Sequence, residues 1–186
     1  KCFYAPDFKI EPVVAGDFVG STDYGSPVNF KNLFINPHGN GTHTECVGHI
    51  TSAPFTIHDC LKKFHFVAQV LSLTPDILAN GDLVITKDLL SEKINLGTEA
   101  LIIRTLPNNE NKLSKDYSGT NPPYFSQDAI AFINQMGILH LMTDLPSIDR
   151  EEDGGALAGH KTFWGYPSFH GKDKTITELV FVSDDV

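Results

Sequence analysis

No two of the three cysteines, Cys2, Cys46 and Cys60, stand at a CxxC spacing. The odd count argues against a disulfide framework and for a reducing compartment. Runs of lysine or arginine are missing too: Lys62 beside Lys63 is the nearest approach, and the formal net charge is −9 with a pI near 5.2. Phosphate neutralisation needs a basic face, so nucleic acid is not an expected partner. No apolar stretch approaches the roughly 18 residues of a membrane span, and the N-terminus lacks the charged and apolar halves of a signal peptide. A protein without a membrane partner is expected. Position 1 is Lys1 and not methionine, which processing or trimming would explain; a cytoplasmic location is the expectation.

What is present is ordinary for a globular chain. Hydrophobic residues make up 41% and charged residues 20% of 186 residues, enough for one domain with a sizeable core. Pro6, Pro12 and Pro27 break up residues 1 to 35 into a loop-rich approach, with a strand expected over Asn29 to Ile35. Phe64 to Leu73, Asp82 to Thr86, Ala100 to Thr105 and Ile138 to Met142 read as strands, and Asp88 to Ile94 as a short helix. Arg104 ends the clearest interior strand, where functional groups of α/β sheets tend to emerge. Pro107 to Pro123 forms the longest loop. Ser126 caps the best helix, Gln127 to Met136, with Phe125 stapled onto Ile130 and Gly137 as its stop. Thr175 to Val182 is a last strand with Glu178 in its middle. No repeat or linker divides the chain, and the pattern predicts a mixed α/β domain with more strand than helix.

The chemistry concentrates in Asn36 to His49, NPHGNGTHTECVGH. Three of its fourteen positions are histidine, where eight histidines in 186 residues would place about 0.6 by chance. Side chains two apart on a strand face the same way, so His43 and Glu45 converge on one ion if this piece is extended. Glu45 and His49, four apart, come together if the chain turns helical after Cys46. His38 is five from His43, and only the Gly39, Asn40, Gly41 turn could bring it back to that face. Imidazole with carboxylate suits Zn²⁺ or Mn²⁺ better than a soft copper site. Such an ion makes hydroxide available at neutral pH, so hydrolysis is the expected reaction. Two other chemistries compete for the same residues: Cys46 as a thiol nucleophile with His49 as its base, and the GNGTH glycines as a phosphate cradle. The first lacks an orienting third group and the second a following lysine. His58, His65, His140 and His170, each isolated, are read as structural.

The segment GTHTECVGH resembles the HxGTHxDAPxH signature of the metal-dependent cyclase and kynurenine formamidase family. LIIRT (Leu101 to Thr105), DLPSID (Asp144 to Asp149) and TITELV (Thr175 to Val180) match further family segments in the family's order. The resemblance implies that His43 is the second histidine ligand, that Glu45 stands for an aspartate ligand, and that His49 shuttles protons. It also implies that His160 is the later histidine ligand and Glu178 the late carboxylate. Gly39 occupies the place of the first histidine ligand. Either His38 reaches in from one residue earlier, or a single ion is held by His43, Glu45, His160 and Glu178.

Also implied are a swivelling β/β/α domain over residues 1–186, with terminal family strands outside this stretch, a divalent ion, zinc or manganese, and a homo-oligomer. The activity implied is hydrolysis of a small-molecule amide C–N bond, as in the arylformamidase reaction on N-formylkynurenine. Phe163, Trp164 and Tyr166, near His160 in sequence, are expected either to wall an aromatic substrate pocket or to pack in the core. A fold-sharing protein that binds metal or ligand without turnover, and a hydrolase of a small cyclic amide such as isatin, stand as alternatives.

Overall fold

The apolar runs of this chain become the interior of one sheet, and the site hangs on that sheet's edge. The computed structural model describes residues 1–186. The N-terminal part forms short strands β1 (Lys9–Pro12), β2 (Val14–Ala15), β3 (Phe18–Val19) and β4 (Lys31–Phe34). A one-turn helix α1 (Pro37–Asn40) leads into β5 (His43–Glu45), a 3-10 turn over Val47–Ile50 and a second one-turn helix α2 (Ile57–Cys60). Next come β6 (Ala68–Leu73), β7 (Asp76–Ile77), β8 (Leu83–Ile85), α3 (Lys87–Leu90) and β9 (Ala100–Thr105). The chain closes with β10 (Tyr124–Phe125), α4 (Gln127–Gln135), β11 (His140–Thr143), α5 (Ala158–Trp164) and β12 (Thr175–Glu178).

Strands β6, β9, β11 and β12 run parallel, and β5 covers the β12 edge antiparallel, giving the order β5-β12-β11-β9-β6. A parallel strand between two others is buried on both faces, which is why ALIIRT of β9 is nearly continuous in apolar residues. Leu101 and Ile103 of β9, Leu141 of β11 and Ile176 of β12 share one core cluster with Ile130 and Ile133 of α4 and Phe163 and Trp164 of α5. A smaller sheet, β10-β8-β7, lies apart from this one, and β1 pairs with β4 as a two-stranded ribbon whose residues are largely exposed. The architecture is mixed α/β with more strand than helix. No helix is long and apolar enough to cross a membrane.

Several expectations shift once packing is included. The segment Asp88 to Ile94 makes only the single turn α3, after which Glu92 adopts a left-handed φ of 63°. The last strand stops at Glu178, not beyond it, because Leu179 is left-handed with φ 55°. Phe66 does not extend β6; its ring lies 3.8 Å from that of His140, a buried histidine that also hydrogen-bonds Thr175 and remains structural. Ser126 sits at the N-cap of α4 without capping it, and its hydroxyl instead donates to the Ile85 carbonyl at 3.4 Å. Gly137 does end that helix region, with φ 78°. The Arg104 guanidinium donates to Ser72 and to the Ser183 carbonyl, tying the C-terminal segment to the sheet.

One buried acid locks the loops that carry the site. Asp82 accepts hydrogen bonds from Arg150 at 3.0 Å, Asn121 at 2.8 Å, Tyr124 at 3.0 Å and Asn80 at 2.9 Å. Arg150 first, then Asn121, holds its carboxyl well below the usual carboxylate range. A depressed folded pKa contributes stability above the unfolded pKa of about 3.9 and loses it as the pH falls through the folded value. Asp82→Ala is therefore expected to lower Tm at pH 7 by at least about 3 °C and to flatten the fall in stability below about pH 4, as read by thermal unfolding across a pH series.

Candidate metal centre

Each site residue is placed by a local feature of its own segment. In β5, His43 and Glu45 project to one face, and the antiparallel register sets His43 directly opposite Glu178, the last residue of β12. The 3-10 turn that follows β5 carries His49 back, so that its Nδ1 lies 3.6 Å from Glu45 Oε2. His38 rides on α1, a turn begun by Pro37 and capped by Asn36, whose side chain accepts from the Gly39 amide at 3.0 Å. Its Nδ1 comes within 3.1 Å of Glu45 Oε2, and its ring stacks on His49 at 4.3 Å and meets His43 edge-on at 4.8 Å.

Gly39 explains why the imidazole is at position 38. A Cβ there would lie 2.2 Å from the Ala5 Cβ and 3.3 Å from the Cys2 carbonyl oxygen. The N-terminal segment therefore occupies the space that a side chain at 39 would need.

His160 enters from the first turn of α5. Its Nδ1 is 2.6 Å from Asp149 Oδ2 and its Nε2 is 3.0 Å from Glu45 Oε1 and 3.8 Å from Glu178 Oε1. Asp149 also accepts the amides of Gly159 at 2.6 Å and His160 at 3.1 Å, so one carboxylate fixes both the helix start and the ring. A Cβ on Gly159 would stand 2.8 Å from Asp149 Oδ1, which is why glycine precedes the histidine. Asp149 was visible in the DLPSID segment, but spacing alone gave it no role. Phe163 and Trp164 are fully buried and line no part of the site cavity; Trp164 backs His160 with ring centroids 5.4 Å apart, and its indole donates to the Lys174 carbonyl. They pack in the core and do not wall a pocket, and Tyr166 is exposed away from the cavity. Cys46 is buried in the hydrophobic core, which removes the thiol-nucleophile reading.

The donor atoms fit a divalent ion. His43 Nδ1–H donates to the Gly41 carbonyl at 3.0 Å, which leaves the Nε2 lone pair pointing inward, 4.0 Å from Glu45 Oε2 and 3.5 Å from Glu178 Oε2. His43 Nε2 and Glu45 Oε2 are both buried and neither has a hydrogen-bond partner. A buried lone pair without a donor is costly, and a cation satisfies both at once. Two overlapping sets of donor atoms fall within 4.8 Å of one another: His38, His43 and Glu45, and Glu45, His49 and His160. Nitrogen and carboxylate donors of this kind suit zinc or manganese.

The electrostatics agree. Burial lowers the pKa values of His43 and His49, so both rings are neutral with a free lone pair. Burial raises Glu45, but the His160 and His38 contacts outweigh it and hold it at about 2. Glu178 is pushed up to about 8 by burial and then by the Glu45 charge. For His160 burial lowers the pKa, and the hydrogen bonds to Asp149 and Glu45 overcome this, raising it to about 10. At neutral pH two buried carboxylates, Glu45 and Asp149, thus share the His160 charge beside a protonated Glu178, and a dication would offset the excess negative charge and favour the ionised form of Glu178.

A cavity of about 240 Å³ opens beside these atoms, reaching His38, His49, His160 and Glu178 on one side and Phe3, Arg150 and Leu157 on the other.

The outer residue Asp149 gives the first test of this arrangement. Asp149→Ala removes the acceptor that sets the His160 tautomer, and is expected to weaken zinc binding about 10- to 100-fold in competition with a chromophoric chelator.

Comparison with known proteins places this geometry. No curated protein matches the sequence. Among solved structures, the fold is similar to that of a predicted metal-dependent hydrolase from Bacillus stearothermophilus, with a TM-score of 0.59 at 18% identity, covering 95% of this chain and 73% of that one. It is likewise similar to isatin hydrolase A from Ralstonia solanacearum, with a TM-score of 0.63 at 16% identity, covering 96% and 71%. Isatin hydrolase A from Labrenzia aggregata, bound to benzyl benzoate, gives 0.57 at 16% identity, covering 96% and 72%. Residues 4–150 match the family described as "Putative cyclase", and with most of the chain inside that match, the protein belongs to the cyclase family.

Proposed function

We propose that this protein is a divalent-metal hydrolase that cleaves the C–N bond of a small-molecule amide, with an N-aryl formamide of the N-formylkynurenine kind as its substrate. The observation that carries this reading is the convergence of unpartnered His43 Nε2 and Glu45 Oε2 with His38, His160 and Glu178 around one point at the edge of a cavity. His38, His43, Glu45, His160 and Glu178 would hold zinc or manganese. When bound, the ion polarises the amide carbonyl and acidifies water.

The chain's own residues supply the rest. His49, neutral and at the cavity wall, takes the proton released as water adds to the carbonyl carbon, and returns it to the amide nitrogen as the C–N bond breaks. The products are a carboxylic acid and an amine. Asp149 keeps His160 aimed at the donor cluster throughout, and the stacked His38 ring fixes the plane of His49. Similarity in fold to isatin hydrolases makes a small cyclic amide the second reading, with the same residues in the same roles.

The test separates metal from turnover. His43→Ala is expected to lose bound zinc or manganese by elemental analysis and to lose formamide hydrolysis. His49→Ala is expected to keep the metal while kcat falls by about 10²- to 10⁴-fold. Protein with no metal and no response to chelator overturns the reading, and metal without hydrolysis of any linear or cyclic amide reduces it to a binding protein.

We also infer a homo-oligomer. A two-stranded ribbon is marginal in water by itself, yet β1 and β4 leave Ile10 and Leu33, opposite each other on one face, more than half exposed. A second copy laid against the same face by two-fold symmetry covers both ribbons at once. Light scattering at micromolar concentration should give a multiple of the 20.5 kDa chain mass, and Leu33→Asp should shift it toward one chain; a monomeric wild type refutes the assembly.

A further inference from the structure

A second cavity opens where three parallel strands end. It holds about 480 Å³, twice the 240 Å³ beside the histidines and inside the roughly 300–1,000 Å³ usual for small-molecule sites. Thr74 follows β6, Thr105 ends β9 and Leu145 comes just after β11, so the cavity sits at the carboxyl ends of three neighbouring strands. Open α/β sheets hold ligands in the crevice outside those ends. None of the residues assigned to the metal lines it.

Its charge is the reverse of the chain's. The protein has 23 acids against 14 lysines and arginines, and Asp149, Glu151, Asp153 and Glu178 line the histidine cavity. Of the 14 residues around this one, none is acidic and two are lysines. The Lys112 ammonium is committed to Asp144 Oδ2 at 2.7 Å and to Thr105 Oγ1 at 3.1 Å. Lys115 has no carboxylate partner, and its Nζ stands over the Tyr117 ring at 4.7 Å from the centroid. One cation is therefore free to meet an anion.

The ring under that cation carries the second signal. Tyr117 is only 4% exposed, and its backbone is fully used: the amide donates to the Lys1 carbonyl at 2.7 Å and the carbonyl accepts from Thr120 Oγ1 at 2.8 Å. Its hydroxyl has no partner in the protein, and an inward polar group left so is costly. Unlike His43 Nε2 and Glu45 Oε2, that oxygen is not sealed in, so it opens onto the cavities that Tyr117 lines. Burial, and then the Asp144 charge, pushes its pKa up to about 12, which keeps it a hydrogen-bond donor.

The remaining lining selects the kind of anion. Ile77, Leu83 and Leu106 are large apolar residues left exposed here, and Pro75, Pro107 and Pro123 bring no N–H. One ammonium and one hydroxyl match a single charge, whereas a phosphate would need more donors. We propose that this cavity is a second ligand site, separate from the metal centre, and that it takes a small monocarboxylate with an apolar body. The carboxylate accepts from Lys115 Nζ and the Tyr117 hydroxyl, and the body packs on the leucines.

Calorimetry on the metal-loaded protein tests this with benzoate, with benzamide as its uncharged counterpart, and with acetate, which lacks the body. Benzoate should bind about tenfold more tightly than either. Tyr117→Phe and Lys115→Met should each weaken benzoate about tenfold while leaving benzamide as it was, a pattern that lost packing would not give. In crystals grown with 4-bromobenzoate, the anomalous signal of bromine should lie between Tyr117 and Leu106. Equal affinity for benzoate and benzamide, benzoate binding unchanged in both variants, or bromine at the metal centre alone each overturns the second site. Binding and not turnover is measured, so these outcomes are independent of the hydrolase reading.

Discussion

The imidazole of His160 is the joint on which this structure turns. It is buried, carries Asp149 on Nδ1, and meets Glu45 and Glu178 through Nε2, so one ring links α5, the loop after β11, the edge strand β5 and the end of β12. Without an ion, it is the one positive charge beside two buried carboxylates, Glu45 and Asp149, and a protonated Glu178. Removing a member of such a cluster leaves an uncompensated charge in low dielectric, which costs more than the cluster contributes. The elements it joins are therefore held by electrostatics as well as by the apolar core behind them, where Phe163 and Trp164 close off water.

Function follows from that placement because the sheet edge is the one location where strand geometry and loop freedom meet. β5 supplies two donors on one face and the register with β12 supplies a third across from them, with no need for long-range loop closure beyond the strand pairing itself. The histidines on either side, His38 and His49, come from single turns and not from the sheet. They are correspondingly more exposed, with side chains at 43% and 34% against 7% for His43. Buried donors suit holding an ion, and the exposed position of His49 suits exchanging protons with what enters the cavity.

Much of this was readable from residues alone, and the limits have physical causes. The strand at Ala100 to Thr105 and the helix from Gln127 were legible since apolar period and stop signals are local. The facing of His43 and Glu45 was legible because a strand alternates with period two. α5 was not anticipated as a helix, since its start has no cap of its own and depends on Asp149, ten residues earlier in the chain. The aromatic residues after His160 did not go to a pocket for a related reason: seven residues of helix put Phe163 and Trp164 into the hydrophobic core. The pocket's aromatic came instead from Phe3, in a proline-broken segment with no periodicity from which to infer a direction.

The imidazole at position 38, beside a glycine at 39, shows how tightly packing and chemistry are coupled here. The Cys2 amide donates to the Gly39 carbonyl, its thiol reaches the His38 carbonyl at 3.3 Å, and Ala5 fills the space beside Gly39. The same segment sets Phe3 over the cavity. A side chain at 39 would push this segment off α1 and Phe3 with it, so histidine at 38 and Phe3 at the cavity are two results of one packing arrangement. Changing the residue at 3 and changing the position of the imidazole are not independent moves in this chain.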